Sequence, residues 1–390
     1  MRILMINVVC GIRSTGRICT DLATALEAQG HEVKIAYGRE GVPEQYKKYA
    51  VRIGNDWDVN LHGVKARLFD ACGFGSIRAT REFINWVKEY DPDVIHLHNI
   101  HGYYINIDIL FDYLRSCGKR ILWTLHDCWA FTGHAAYCEA AGCERWTDGC
   151  YNCPKTKDYP LSCFDRSRNN WKRKKELFTG IPNMTLITPS YWLKQLVEKS
   201  FLKEYPVVVI HNGIDTNKFR PLDNVSIDKL NPDGKKVILG AAAKWDERKG
   251  LNDFIKLNGM INHSNYQIVV VGLTENQIRQ LPLDMTGIAA TDTVDDLVTL
   301  YNIATVFVNF TYEDNYPTTN LEAIACRTPV ISYNTGGSGE SSARYGRVIE
   351  KAGVEEALEI IENGSYNTEA APDVSIGTML RQYTDLIDNE

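Results

Sequence analysis

Short apolar runs alternate with amphipathic stretches along almost the whole chain. This alternation is typical of parallel β-strands joined by crossover helices, so the sequence predicts an α/β protein. Apolar residues at helical spacing over 375–387 predict a terminal amphipathic helix. Strands are predicted at residues 3–9, 32–37, 94–98, 121–125, 185–188, 207–211, 237–243, 268–272, 287–290, 306–310, 330–333 and 347–349.

The chain has 390 residues, which is more than one hydrophobic core usually supports. A polar stretch at 222–235 separates two series of predicted strands and marks a domain boundary. We expect a first domain at 1–220 together with 373–390, and a second at 221–372. Each is expected to be an open α/β sheet, with a ligand in the crevice at the carboxyl ends of the strands.

Composition and charge exclude several classes of protein. With 43 basic and 49 acidic residues the net charge is −6, so the chain lacks the basic excess of a nucleic-acid-binding protein. The amino-terminal residues are typical of a first strand rather than of a signal peptide, and no apolar stretch is long enough to span a bilayer. The eleven cysteines of such a chain are expected to be mostly free thiols in a reducing cytoplasm.

Two glycine- or lysine-bearing turns are candidate phosphate sites. Gly16 follows the first strand, where backbone N–H groups and a helix dipole favour an anion, although a bare loop is the alternative. The five-residue spacing from Gly11 to Gly16 argues against a nicotinamide dinucleotide site. Lys244 and Lys249 follow the first strand of the second domain and suit a diphosphate, with solvated surface lysines as the alternative.

The segment 311–323 leaves a predicted strand and opens a helix. A proline at position 317 suits the first helical turn, so the N–H groups of Thr318 and Thr319 would point out of the helix and seat an anion. Asp314 precedes the helix and Glu322 lies within it, so one carboxylate can address a sugar and the other a ribose diol. A capping acid and a surface glutamate are the alternative for either residue alone.

Together these segments resemble retaining family 4 glycosyltransferases with the GT-B fold. Residues 314–322 are similar to the E-x7-E motif of that family, and Lys244 and Lys249 to its diphosphate-binding pair. The segment 211–221 is similar to its N-G-[VI]-D-x-x-x-F-x-P signature, and 335–337 to its T-G-G turn. The resemblance extends, in order, over nearly the whole chain.

The resemblance implies two Rossmann-like domains facing across a cleft, with the C-terminal helix docked back on the N-terminal domain. It implies that Lys244 and Lys249 hold the donor diphosphate and that Glu322 binds the nucleotide ribose. Asp314, or Glu313 one residue out of register, would contact the donor sugar. Backbone amides near Gly16 and Thr319 would complete the anion site without a divalent metal ion.

His126, at the end of a predicted strand of the first domain, resembles the family histidine that faces the donor sugar and the acceptor. Asp127 beside it is a candidate to orient the ring. A structural histidine whose hydrogen bonds are satisfied inside the domain is the alternative.

Four clustered cysteines, Cys138, Cys143, Cys150 and Cys153, have the number and closeness of a structural zinc site. Zinc would staple the loop and take no part in catalysis. The gaps between the first three cysteines are unusual for zinc, and His134 could replace one thiol. Four thiols without a metal remain the alternative.

The segment 166–175 contains six basic residues and a tryptophan. It is expected to form a local positive face suited to anionic lipid headgroups or to a pyrophosphate-bearing acceptor. A solvated helix face is the alternative.

The resulting hypothesis is a retaining glycosyltransferase of bacterial capsule, exopolysaccharide or lipopolysaccharide biosynthesis. It would move a sugar from a nucleotide-diphosphate sugar to a hydroxyl of a glycan, expected to be linked to a polyprenyl diphosphate, at the inner face of the plasma membrane. Attack from the front face would account for retention. The alternatives are a nucleotide-sugar 2-epimerase or hydrolase on the same scaffold, and a non-catalytic glycan-binding protein.

Overall fold

A computed structural model describes residues 1–223 and 234–388. The chain divides into two compact units, Met1–Ile210 with Leu380–Glu390, and His211–Met379. Most of the polar stretch predicted at 222–235 lies outside the described residues. Among the described residues, no helix is both long and apolar enough to cross a lipid bilayer.

The first unit is a seven-stranded parallel sheet in the order β3-β2-β1-β4-β5-β6-β7. Its strands are β1 (Arg2–Ile6), β2 (Glu32–Tyr37), β3 (Ala50–Arg52), β4 (Val94–Leu97), β5 (Arg120–Thr124), β6 (Met184–Thr188) and β7 (Val207–Val209). Its helices are α1 (Arg13–Ala28), α2 (Asp56–Phe69), α3 (Ile77–Tyr90), α4 (Ile107–Ser116), α5 (Ser167–Phe178) and α6 (Tyr191–Lys199). Short 3₁₀ turns lie at Glu44–Tyr46 and Arg145–Thr147.

The second unit repeats the same winding in a six-stranded parallel sheet, β10-β9-β8-β11-β12-β13. Its strands are β8 (Lys236–Ala241), β9 (Tyr266–Val271), β10 (Met285–Ile288), β11 (Ala304–Asn309), β12 (Val330–Tyr333) and β13 (Gly346–Ile349). Its helices are α7 (Leu251–Asn258), α8 (Glu275–Gln280), α9 (Val294–Ile303), α10 (Thr318–Ala325), α11 (Ser338–Ser342) and α12 (Val354–Asn363). A 3₁₀ turn at Glu247–Lys249 precedes α7.

The predicted α/β class is therefore confirmed, because both sheets are parallel and have the doubly wound order. In each sheet the strand order reverses beside the first strand, between β1 and β4 and between β8 and β11. Loops at the carboxyl ends of two such neighbouring strands diverge to opposite faces of the sheet, which leaves room for a ligand. The predicted strands all occur, and β3 is an additional strand that the sequence pattern did not reveal.

The last helix, α13 (Ile376–Asp388), ends on the first unit, as expected. Arg120 on β5 donates a hydrogen bond to the carbonyl oxygen of Ile387 at 2.8 Å. The hydroxyl groups of Tyr383 and Thr124 lie 3.2 Å apart, and Tyr383 also packs against the ring of His96. These contacts fix the end of the helix against the centre of the sheet.

The segment after β7 belongs to the second unit rather than to the first domain predicted for it. Ile210 still bonds to the sheet, through its N–H to the Thr188 carbonyl. Ile214 instead exchanges hydrogen bonds with the chain before α13, accepting from the Ile376 N–H at 2.7 Å and donating to the Val374 carbonyl at 2.9 Å. The unit boundary thus lies between Ile210 and Ile214.

Gly213 is required by this close approach. A β-carbon there would lie 2.6 Å from the Ser375 carbonyl oxygen and 2.7 Å from the Ile376 Cα. We expect Gly213→Ala to lower the free energy of unfolding by about 1–3 kcal/mol, because two backbones must move apart. Urea unfolding measures this. Gly41→Ala is the control, since a β-carbon at Gly41 meets nothing within 4 Å; equal losses in both variants would contradict the assignment.

Candidate functional site

Two loops of the second unit bring charged residues to one edge of its sheet. Lys244 and Lys249 follow β8, and Glu313 and Asp314 follow β11. Because β8 and β11 are paired neighbours at the point where the strand order reverses, these loops begin side by side. The candidate donor-binding residues therefore lie where a doubly wound sheet binds its ligand.

An ion pair joins the two loops. Lys249 Nζ lies 2.5 Å from Asp314 Oδ2, and both side chains are only 17% exposed. Arg248 Nη1 lies 3.8 Å from the same carboxylate oxygen. Burial raises the pKa of Asp314, but Lys249 and Arg248 outweigh burial and hold that pKa below its usual value. Asp314 is therefore ionised at neutral pH.

Arg248 is a site residue that the sequence analysis missed. Besides its contact with Asp314, its guanidinium donates to the carbonyl oxygen of Glu313. Its own carbonyl oxygen accepts from the Tyr312 N–H at 2.7 Å. The only sequence signal was its position between two lysines already assigned to a phosphate.

The T-G-G turn at 335–337 packs against the backbone of Asp314 and bonds to it. Gly336 has a φ of +58°, and a β-carbon there would lie 2.1 Å from the Asp314 carbonyl oxygen. The Gly337 N–H donates to that oxygen at 2.9 Å, and Thr335 Oγ1 donates to the Thr311 carbonyl at 2.6 Å. Gly336 is therefore needed for the close approach of two loops, and the turn fixes the backbone of the acidic residue.

Helix α10 begins at Thr318, and Pro317 is its N-cap residue rather than a residue of the first turn. Proline has no side-chain oxygen with which to cap a helix, so it offers nothing to the N–H groups of Thr318 and Thr319. Both threonines are half-buried. Within the described residues these N–H groups have no side-chain cap, and with the helix dipole they favour an anion at this position. Anion binding here stays a prediction.

Glu322 lies on the next turn of α10 and is anchored by one carboxylate oxygen. Tyr301 on α9 donates its hydroxyl hydrogen to Glu322 Oε2 at 2.9 Å. Burial, and then the negative charge of Glu322, raise the pKa of Tyr301 well above its usual value. The tyrosine therefore stays a hydrogen-bond donor and fixes the orientation of the carboxylate.

The remaining two candidates of the second unit differ in environment. Lys244 is exposed, and it forms no hydrogen bond or ion pair with the residues at 1–223 and 234–388. Glu313 is fully buried, and its carbonyl oxygen also accepts from Thr311 Oγ1 at 3.2 Å. The Asp314 carboxylate is paired with Lys249 and lies near Arg248 of the other loop.

In the first unit, Gly16 lies within α1, where a turn was expected. Its carbonyl oxygen accepts from the Gly11 N–H at 3.1 Å, and a β-carbon on Gly16 would lie 3.0 Å from Val9 Cγ2. Gly11, with a φ of +74°, is the turn glycine. Gly16 therefore allows the helix to approach the loop, and a role for amides near it in donor binding stays a prediction.

His126 follows β5 and contacts a second histidine. Its Nε2 lies 3.1 Å from His98 Nδ1, and the two rings stack with centroids 5.4 Å apart. Burial lowers the pKa of His126 to about 4, opposed by the charge of Asp127. The ring is therefore neutral at physiological pH.

Asp127 orients a different histidine from the one expected. Its Oδ2 lies 3.0 Å from His101 Nε2, and its Oδ1 accepts from the Trp129 N–H at 2.9 Å. His101 Nδ1 is in turn 2.9 Å from the Tyr159 hydroxyl. Asp127 therefore orients His101 through these bonds, and its orientation of His126 stays a prediction.

The four clustered cysteines are free thiols, as are the other seven. Within the described residues, they do not come together as one set of metal-ligating atoms lying within 4.8 Å of each other. A tetrahedral zinc site with Zn–S bonds of about 2.3 Å requires closer sulfurs. Burial raises the pKa of Cys150 to about 12 and that of Cys153 to about 11. Zinc binding therefore requires the loop to contract, and it stays a prediction.

The basic run 166–175 does not form a single positive face. It lies on α5, and Lys174 is fully buried, with Nζ 2.8 Å from the Trp129 carbonyl and 3.1 Å from the Thr132 carbonyl. Nζ also lies 3.4 Å from the centroid of the Trp129 ring. Arg173 pairs with Asp108 at 2.5 Å. The expectation is wrong for these two residues, because one binds core carbonyls and the other is neutralised.

Comparison with known families gives the class of the protein. A model described as Glycosyltransferase Family 4 matches residues 15–218, and one described as Glycosyl transferases group 1 matches residues 224–364. The first match alone covers more than half of the chain. The chain belongs to glycosyltransferase family 4 and is a glycosyltransferase with the two-domain GT-B fold.

Individual relatives agree with this class. The chain is 25% identical over 397 residues to the putative colanic acid biosynthesis glycosyl transferase WcaC of Escherichia coli (strain K12), covering 93% of this chain and 90% of that one. A sucrose-phosphate synthase from Thermosynechococcus elongatus has a TM-score of 0.70 at 15% identity, covering 100% and 98%. Anabaena HepE in complex with UDP-glucose has a TM-score of 0.65 at 13% identity, covering 100% of both chains. The two structures show the fold.

Buried Lys174 gives a pH-dependent prediction. Burial lowers its pKa to about 7 in the folded state, against about 10.4 in the unfolded chain. Between about pH 7 and about 10.4 the unfolded chain binds more protons at this lysine than the folded chain does, so the free energy of unfolding rises with pH. The stabilisation by Lys174 is complete above about pH 10.4 and is lost as the pH falls towards 7. We expect the free energy of unfolding of wild type minus that of Lys174→Met to rise by up to about 1.4 kcal/mol per pH unit above pH 7.

Urea unfolding at several pH values between about 7 and 9 measures this difference, in which other titrating groups cancel. Lys172→Met on the same helix is the control, because Lys172 is exposed and its variant should show no such slope. A difference between wild type and Lys174→Met that is independent of pH would contradict the prediction.

Proposed function

We propose that this glycosyltransferase moves a sugar, with retention of configuration and without a metal ion, from a nucleoside diphosphate sugar to a hydroxyl of a glycan. The pathway we propose is bacterial surface polysaccharide biosynthesis, which the colanic acid assignment of WcaC supports. The donor class is supported by the UDP-glucose complex of HepE. A polyprenyl-diphosphate-linked acceptor follows from the resemblance described above.

One observation carries the proposal: the Lys249–Asp314 ion pair and the uncapped start of α10 occupy adjoining loops at the reversal point of the sheet. A diphosphate needs cations and N–H donors that are already in position. Lys249 supplies the cation and Thr318 and Thr319 supply the N–H groups. Lys244, exposed on the same loop as Lys249, would add a second point charge.

Two carboxylates would recognise the sugars of the donor. Glu322 has one oxygen bonded to Tyr301, which sets its orientation, and a fixed carboxylate suits the two hydroxyl groups of a ribose. Asp314 is fixed by Lys249 and would accept from hydroxyl groups of the transferred sugar. Glu313 keeps this role as the alternative.

The cations account for catalysis without a divalent ion. Negative charge develops on the diphosphate as the bond from the anomeric carbon to the phosphate oxygen breaks. Lys249, Arg248 and the N-terminus of α10 are aimed at that charge before the reaction starts, so they stabilise the transition state at little reorganisation cost. When the diphosphate binds, it shares Lys249 with Asp314.

Retention is explained by attack on the same face that the diphosphate leaves. The acceptor oxygen bonds to the anomeric carbon as the bond to the phosphate oxygen breaks. The acceptor proton passes to the departing phosphate oxygen, so the reaction needs no nucleophile from the enzyme. His126 would remain neutral throughout, because burial lowers its pKa to about 4. A neutral ring can exchange hydrogen bonds with sugar hydroxyls without adding a charge.

The 2-epimerase or hydrolase and the non-catalytic binding protein gain no support from the relatives reported above. WcaC is named as a glycosyl transferase, and the chain aligns with 90% of its length. A protein without a donor would have no need for Lys249, Asp314 and Glu322 at one edge of the sheet.

Donor binding can be tested by thermal shift with a panel of nucleoside diphosphates. At a nucleoside diphosphate concentration of one hundred times Kd, we expect the free energy of unfolding of wild type to rise by roughly 2.7 kcal/mol. Lys249→Met and Glu322→Gln should abolish the shift, the first by removing a phosphate cation and the second by removing a charged ribose acceptor. Lys256→Met is the matched control, since Lys256 pairs with exposed Glu355. An unchanged shift in both site variants would remove the donor-site assignment.

The stereochemistry and metal requirement need the intact reaction. With the donor sugar whose nucleotide binds, we expect NMR to show a product with the anomeric configuration of the donor. Treatment with a chelator should leave the initial rate unchanged. An inverted product, or a rate lost to the chelator and restored by a divalent ion, would refute the corresponding part of the proposal.

A further inference from the structure

Helix α2 carries an apolar stripe on its solvent side. Trp57, Leu61, Val64 and Leu68 are between 43% and 78% exposed. Their spacing of four, three and four residues places them on one face of the helix. A helix on the surface of a globular protein usually presents polar side chains to water, so this stripe requires a reason.

The stripe is not the face that docks α2 onto its unit. That face is the opposite one, where His62 and Ala66 are buried. His62 Nδ1 lies 2.9 Å from Ser76 Oγ, and its Nε2 accepts from the Gly75 N–H at 3.0 Å. The helix is therefore held to its unit by the face that carries His62 and Ala66, while the apolar stripe on the opposite face stays in water.

A basic pocket adjoins the C-terminal end of the stripe. Its volume is about 540 Å³, and Lys65 and Phe69 of α2 line one side. Arg81 from α3 and Arg166 from the segment before α5 line the others, with apolar floor residues such as Phe74. Cations around an apolar floor suit an anionic group attached to a hydrocarbon chain.

Cations outnumber acids in the lining of the pocket. Arg81 and Arg166 form no ion pair within the parts of the chain that the structure describes. Lys65 Nζ donates to the Phe74 carbonyl at 3.2 Å, which neutralises nothing. Of the two lining acids, Asp108 is paired with Arg173, and buried Asp70 bonds to His134 and accepts from the Arg166 N–H at 2.9 Å. Three cations, Lys65, Arg81 and Arg166, therefore face one acid. The pocket therefore keeps a positive charge in a chain whose net charge is −6.

The acids of α2 lie in its first turn, about two helical turns from Lys65 and the pocket. Asp56 pairs with Arg52. Asp58 accepts from the Asn55 N–H at 3.0 Å as part of a capping box. Cations are therefore left at the C-terminal half of the stripe, with Lys65 and Arg67 on either side of it.

We propose that the stripe and the basic pocket form a docking surface for an anionic phospholipid bilayer. Trp57, Leu61, Val64 and Leu68 would enter the boundary between headgroups and acyl chains, and the pocket would take a lipid phosphate. Charge complementarity selects this occupant: an apolar stripe next to uncancelled cations matches a surface that is apolar inside and negative outside. The proposal does not depend on the donor site.

The surface differs from the basic run proposed from the sequence. Arg166 at its start belongs to the pocket, whereas Lys174 lies in the core. The decisive apolar residues are on α2, roughly one hundred residues earlier in the chain.

Vesicle co-sedimentation tests the proposal on the full-length protein. The probes are vesicles of phosphatidylcholine alone and of phosphatidylcholine mixed with phosphatidylglycerol. Wild type should bind the mixed vesicles and bind the neutral ones at least tenfold more weakly. Arg81→Gln with Arg166→Gln should weaken binding to mixed vesicles roughly thirtyfold, because two cations near the surface are lost. Leu61→Gln with Val64→Gln should weaken it at least tenfold, because apolar contact with the acyl boundary is lost.

Matched controls keep the result specific. Leu283→Gln replaces a leucine that is 107% exposed in the second unit, and Arg279→Gln with Lys203→Gln removes two exposed cations elsewhere. These variants should bind like wild type. The nucleoside diphosphate shift should be unchanged in every docking variant, which separates this proposal from the donor site.

Four outcomes would overturn the proposal. The first is equal binding of wild type to neutral and mixed vesicles. The second is wild-type binding by both docking variants. The third is a concentration-dependent dimer in sedimentation velocity that Leu61→Gln with Val64→Gln dissociates, because the stripe would then be covered by a second copy. Loss of vesicle binding on adding millimolar inorganic phosphate, with no effect of the stripe variant, would assign the pocket to free phosphate instead.

Discussion

The ion pair between Lys249 and Asp314 is the interaction on which the candidate donor site depends. It joins the loops that follow β8 and β11, and both partners are largely removed from water. A charge in such a place is costly unless it is compensated, so each partner holds the other and Arg248 adds to the balance. The glycine at 336 lets the neighbouring turn brace the Asp314 backbone. Geometry at this edge of the sheet is thus prepared before any ligand arrives.

The architecture was predictable because it rests on periodicity. Parallel strands buried on both faces are near-continuous apolar runs, and β4 is buried at all four positions. Lys249, Asp314 and Glu322 were singled out from their places after strand ends and at a helix start, together with the family resemblance; the structure pairs the first two, and their roles in donor binding stay a proposal. The strand that the sequence analysis missed is one that leaves no periodic pattern. β3 has only three residues and pairs at the sheet edge, so it is too short to produce a pattern.

The other differences arise from packing across distant parts of the chain. Lys174 looks like a surface residue within a basic run, and only the fold shows that Trp129 and Thr132 turn carbonyls toward it. Asp127 is next to His126 in sequence, yet its carboxylate is used by His101 and the Trp129 N–H. The stripe on α2 was hidden in the same way, because apolar residues at helical spacing normally predict a buried face. Burial, unlike spacing, is decided by what else is nearby.

The burial of His126 has a consequence for how the enzyme responds to acidity. A histidine in water changes charge close to neutrality, whereas burial lowers the pKa of His126 to about 4. Its ring therefore stays neutral on both sides of pH 7, and a shift of one pH unit there leaves its contact with His98 intact. If His126 has the role proposed above, a loss of turnover in mildly acidic medium is expected to come from the substrates or from other groups.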